Sequence, residues 1–87
     1  MSEKFDKVVQ FLKVTVPAII EVTYKELTPR EYQINSKKWT VTLNPADTDI
    51  RVDAKTTLDV MDIIYFHKLA EQLQNIRDVY DARDEVF

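Results

Sequence analysis

Phe5, Val8, Val9 and Leu12 recur at steps of three and four and form one apolar stripe, the period of a helix. Ser2 stands where a helix N-cap belongs. The stripe ends in the β-branched run Val14-Thr15-Val16, and Pro17 turns the residue before it away from the helical region. Beyond it the period changes to two. Ile20, Val22 and Tyr24 alternate with Glu21, Thr23 and Lys25, and Tyr32 and Ile34 flank Gln33. Trp39, Val41 and Leu43 alternate with Thr40 and Thr42, and Ile50 and Val52 alternate with Arg51 and Asp53. This is the period of half-buried strands. The separators "LTPRE", "NSKK" and "NPADTD" read as turns, with Pro29 at a favoured turn position and Asn35 tolerant of unusual dihedrals.

From Thr57 to Tyr80 the helical period returns. Leu58, Met61, Tyr65, Leu69, Leu73, Ile76 and Tyr80 make an unbroken stripe, and Val60, Ile63, Ile64, Phe66 and Ala70 widen it over the first half only. Thr56, followed three residues later by Asp59, has the form of a capping box. The predicted order is an N-terminal helix, a three- to four-stranded antiparallel sheet and a long C-terminal helix. The sheet has one apolar face, so both helices belong on that face: a single α+β domain over residues 1–87, built as a two-layer sandwich.

The last helix is long for such a domain. Residues 57–80 span roughly 36 Å as one helix, against a compact diameter of roughly 30 Å and strands of about 17 Å. We expect its far half, with Leu69, Leu73, Ile76 and Tyr80, to act as a self-association surface in a two-fold dimer. The competing outcome is that the first helix covers that stripe within the monomer.

Composition narrows the function classes. The chain is 45% hydrophobic and 31% charged, a folding rather than a disordered balance. It has no glycine, which removes every glycine-dependent phosphate loop. It has no cysteine, hence no disulfide framework, thiol nucleophile or Cys-based zinc site, and it suits the cytoplasm. No apolar run is long enough to span a bilayer, and the charges in "MSEKFDKVVQF" leave no apolar segment for a signal peptide. The formal net charge of −3 argues against a general nucleic-acid binder. The bias to Lys, Asn, Ile, Asp and Thr is common in products of AT-rich genomes, phage genomes among them.

Candidate chemistry is thin. His67 and Glu71 are four apart on a helix but find no further ligand pair, so we expect an exposed helical pair rather than a metal site. Asp47, Asp49 and Asp53 lack the glycine and distal glutamate of a calcium loop and read as turn and strand residues. No catalytic, metal or cofactor residue is assigned, and the chain is expected not to be an enzyme. Lys37, Lys38 and Trp39 set two cations beside an indole, the makings of a nucleotide or single-strand site. Alternation instead puts Trp39 on the apolar sheet face. Asp78, Asp81, Asp84, Glu85 and Phe87 make an acidic C-terminal surface that opposes the helix dipole. The expectation that follows is a small cytoplasmic protein-binding module, an inhibitor, antitoxin-like or accessory factor acting by occlusion of a larger partner. The alternative is a homo-oligomer binding a nucleotide or single-stranded nucleic acid. A structural subunit of a larger assembly is a third possibility.

Overall fold

The period-two segments pair into one antiparallel sheet in the order β1-β2-β3-β4, and the period-3.6 segments become helices. The structure is a computed structural model and describes residues 3–82. The elements are α1 (Glu3–Thr15), β1 (Thr23–Thr28), β2 (Glu31–Asn35), β3 (Trp39–Asn44), β4 (Asp49–Ala54), α2 (Val60–Glu71) and α3 (Leu73–Asp81). The fold is α+β, as the patterning predicts. Ser2 lies outside the described residues.

The register puts Ile34 opposite both Tyr24 and Val41, Tyr32 opposite Leu43, and Leu43 opposite Ile50, so the apolar residues share one sheet face. Tyr32, Ile34, Trp39, Val41 and Leu43 are buried there with Phe5, Val8, Leu12 and Val16 from the α1 segment and with Tyr65, Leu69, Ile76 and Tyr80 from the last two helices. The other face carries Thr40, Thr42, Gln33 and Asn35. Two aromatic clusters brace the core. Phe5 meets Tyr32 edge-on at 5.3 Å, and Tyr32 meets Tyr80 at 6.1 Å. Trp39 stacks on Tyr65 at 5.5 Å and meets Phe66 edge-on at 4.9 Å.

Three expectations are corrected. The first strand begins at Thr23, not near Ile20, because its partner β2 ends at Asn35, which pairs with Thr23. Ile20 and Val22 pack half-buried against the core without a ladder. The last helix is two helices, parted at Gln72 (φ −96°, ψ 2°), whose N–H is shared between the Lys68 and Leu69 carbonyls. The capping box sits three residues later than Thr56 suggests, on Asp59 and Asp62.

The self-association residues find partners inside the chain. Leu69, Ile76 and Tyr80 are buried and Leu73 packs half-buried against the same cluster, because α1 lies alongside α3 and the Tyr80 hydroxyl donates to the Pro29 carbonyl at 3.1 Å. The stripe expected to project is core.

Candidate functional site

The start of α2 is fastened both by its own capping box and by the β2–β3 hairpin. Asp59 is its N-cap: its Oδ1 accepts from the Asp62 N–H at 3.2 Å, and Asp62 Oδ2 accepts from the Asp59 N–H at 3.0 Å. These two bonds are a reciprocal capping box, with Asp in the place usually held by Glu or Gln. Asp62 has a second task. It is buried, and its Oδ1 accepts from the Trp39 indole N–H at 2.9 Å. Both carboxylate oxygens are thus occupied, which is the condition for burying the group at all. Lys38, the neighbour of Trp39, bonds Asp59 Oδ2 at 2.7 Å and stands 3.9 Å from Asp62 Oδ2. The Lys38 hydrogen bond, followed by the backbone N–H of Asp62, holds the Asp59 carboxyl below its usual range, and the same contact pushes the Lys38 ammonium up.

The other wall is the β2–β3 hairpin. Its loop is Lys37-Lys38, closed by Ser36, whose N–H donates to the Trp39 carbonyl at 2.9 Å. The Ser36 hydroxyl oxygen accepts from the Trp39 and Lys38 N–H groups, both at 3.1 Å. A side-chain oxygen does here what a glycine turn does elsewhere. A cavity of about 340 Å³ opens between hairpin and helix, lined by Ile20, Glu21, Ser36, Lys37, Lys38, Asp59 and Asp62. Its charges are mixed. Three carboxylates face two ammonium groups, one of them already paired, so it offers no clear field to an anion.

What this mounting displays is apolar. Val60 is 71% exposed, Met61 45%, Ile63 43% and Ile64 39%. Val60 and Ile64 are four apart on one helix face, while Ile63 turns toward β4 and lines a groove with Ile50, Val52, Phe66, His67 and Ala70. Val60, Ile63 and Ile64 are among the residues that widen the stripe over the first half of the predicted helix, and Met61 belongs to the stripe itself. From α2 the core takes Asp62, Tyr65 and Leu69 fully and Phe66 in part, so Val60, Met61, Ile63 and Ile64 keep much of their surface in water. An exposed cluster of this kind marks a contact surface on soluble proteins.

The sequence-predicted residues fall elsewhere. Asp78 and Asp81 are exposed on α3, where Asp78 accepts from the Gln74 amide at 3.1 Å and Asp81 pairs with Arg77 at 3.3 Å. Asp84, Glu85 and Phe87 lie outside the described residues. Lys37 is exposed and Lys38 is tied to Asp59, but Trp39 is completely buried and presents no ring to a base. The three do not form a stacking site. Asp47 caps its own turn with Asn44. His67 and Glu71 are exposed, and no group of three potential metal ligands occurs among the described residues. Among the described residues, no helix is long and apolar enough to cross a membrane. The sequence reading has Val60, Ile63 and Ile64 widening the stripe and does not foresee that they stay exposed. The signal was present: an apolar stripe wider than one core contact needs.

No protein-family model matches the chain, and comparison with curated proteins and with solved structures finds no similar protein.

Proposed function

We propose that this chain is a small, non-enzymatic, cytoplasmic protein-binding module that docks through the first turns of α2 and acts by covering a site on a larger partner. The observation that supports this is the apolar ridge of Val60, Met61 and Ile64, held in place by the Asp59–Asp62 capping box and the Trp39 and Lys38 contacts. A ridge on a preorganised helix start loses little entropy on docking, and a few large side chains of this kind carry most of an interface's affinity. The Lys38–Asp59 pair, Lys68 and Glu71 border the ridge as a polar rim. The acidic face of α3, Asp78 and Asp81, contributes to encounter rate rather than affinity.

The test is a matched capture experiment from the source cytoplasm with the natural chain, a Val60→Asp/Ile64→Asp variant and an Asp78→Asn/Asp81→Asn variant. The expected result is a protein held by the natural chain, released from the ridge variant, and still bound, with weaker salt dependence, by the acidic-face variant. Equal retention by all three, with folding intact by circular dichroism, removes the ridge from the interface. The nucleic-acid alternative has lost its stacking residue with the burial of Trp39. Titration of single-stranded oligonucleotides against Trp39 emission should leave that emission unchanged.

A further inference from the structure

The two edges of the sheet are unlike. β1 carries an irregularity between Glu26 and Thr28, the kind of bulge that blunts an edge. β4 runs in unbroken register from Asp49 to Ala54 against β3, with no bulge and no proline. The Lys55 N–H donates to the Lys38 carbonyl at 2.8 Å. In an antiparallel ladder the direction of these groups alternates, so Asp53, Arg51 and Asp49 also turn their peptide groups toward β3. Ile50, Val52 and Ala54 then turn theirs outward, where no strand among the described residues meets them.

The charges along β4 are also without ion-pair partners among the described residues. Along its polar face stand Asp49, Arg51, Asp53 and Lys55, alternating in sign and all exposed. Opposite them on β3 are Asn44, Thr42 and Thr40, all neutral. None of the four enters an ion pair among the described residues. On the other face, Val52 is 40% exposed and lines, with Ile50, Ile63, Phe66, His67 and Ala70, an open apolar groove of about 330 Å³ between α2 and the strand.

We propose that two copies of the chain join through β4, antiparallel, about a two-fold axis at Val52, making one continuous sheet. With Val52 facing its own copy, Arg51 stands opposite the partner's Asp53 and Asp49 opposite the partner's Lys55, and each pair occurs twice. Every charged residue of the strand meets its opposite. The neighbouring registers do worse. Centring on Ala54 pairs Asp53 with Lys55 but leaves Arg51 opposite the uncharged Thr57. Centring on Arg51 sets Arg51 against itself and Asp49 against Asp53. Centring on Asp53 sets Asp53 against itself and Arg51 against Lys55. Centring on Ile50 pairs Asp49 with Arg51 but sets Asp47 against Asp53. The charge pattern therefore selects one register, and in that register Ile50 meets Ala54 on the apolar face and the two grooves lie side by side across the axis. The dimer surface differs from the far-half stripe expected from sequence, and it does not depend on the α2 ridge docking a partner.

Sedimentation across micromolar to millimolar concentration tests it. The natural chain should run at twice the mass of one chain at the upper end. Val52→Pro removes an outward N–H and leaves the ladder to β3 intact, so it should run as a folded monomer. Arg51→Asp should weaken the dimer by about tenfold, as two cross-strand pairs turn repulsive. Arg51→Asp with Asp53→Arg should restore it, because the swapped pair again meets its opposite, a rescue that a purely structural effect within one chain does not produce. A natural chain that stays monomeric throughout overturns the proposal. So does a dimer indifferent to both Val52→Pro and Arg51→Asp, or a charge-swapped variant no tighter than Arg51→Asp alone. If Val52→Pro fails to fold, the charge series decides.

Discussion

Asp62 is the residue on which the helix start depends. It closes the capping box and accepts the indole N–H of Trp39, so one carboxylate joins helix, hairpin and core. Asp62→Ala should cost about 2 kcal/mol, the range for a lost bond to a charged group together with a lost cap, read from urea unfolding. A cost near zero means that the cluster is incidental to the fold. Tyr32 and Tyr65 are the opposite case: among the described residues the buried Tyr32 hydroxyl finds no hydrogen-bond partner, and the Tyr65 hydroxyl has only the Tyr24 side chain beside it, without a well-formed bond. Burial first, then the nearby Tyr80 and Glu26, pushes the Tyr32 phenol from 10.0 up to about 12. Burial, with Tyr24 beside it, pushes Tyr65 up as well. A raised phenol pKa means that the unfolded chain loses its proton first, so stability is fully present below pH 10 and falls as pH rises through the folded value. Unfolding midpoints should therefore drop between about pH 10 and 12. Tyr32→Phe/Tyr65→Phe should flatten that drop. At pH 7 the same variant should be neutral or up to about 1 kcal/mol more stable, since an unsatisfied buried hydroxyl is removed.

Elements in this chain begin and end without glycine, and the cost shows at one point. Thr48, in the β3–β4 turn, has φ 51° and is the only non-glycine residue with positive φ among those described. A β-branched residue is poorly suited to the left-handed region. Thr48→Gly should stabilise the protein by about 0.5–1 kcal/mol, and Thr48→Asn by somewhat less, in thermal unfolding. Thr48→Ala, which keeps a Cβ, should give no such gain. The break at Gln72 is of another kind. Its backbone angles suit any residue, and among the described residues its side chain accepts only from Asn75, so packing sets the kink rather than Gln72 itself. Tyr65 and Leu69 before the break and Ile76 and Tyr80 after it all reach the core once the helix bends.

At the scale of the whole molecule the question is which apolar residues the core takes. The length mismatch rests on a spherical domain, whereas the molecule measures 48 × 22 × 21 Å with a radius of gyration of 12.8 Å. An elongated body and a kink together seat the helices, and α1 covers α3. Two isoleucines of the same long helical pattern then differ completely. Ile76→Ala should cost about 2–4 kcal/mol in denaturant unfolding, the range for a fully buried isoleucine. Ile64→Ala should cost less than about 0.5 kcal/mol, although it belongs to the proposed docking ridge. Similar costs at the two sites would mean that the ridge is covered in solution, by a second copy or by a rearranged chain end.

The sequence by itself determined the type and order of the elements, because periodicity is local: Trp39, Val41 and Leu43 must share a face in any strand, and Phe5, Val8 and Leu12 must share one in any helix. It also placed Trp39 in the core on alternation alone. The capping box was half legible, since Asp59 was marked but as the wrong member of the pair. Only the tertiary structure decided what stands opposite each face. Leu69, Ile76 and Tyr80 are buried because α1 and the sheet happen to face them, while Val60, Met61 and Ile64, equally apolar, stay exposed among the described residues. Edges are decided in the same way. Whether β4 is central or open depends on strand order, and an alternation of Asp49, Arg51, Asp53 and Lys55 acquires meaning only once the strand that carries it has a free side. Burial is a property of pairs of surfaces, and one line of residues states only one member of each pair.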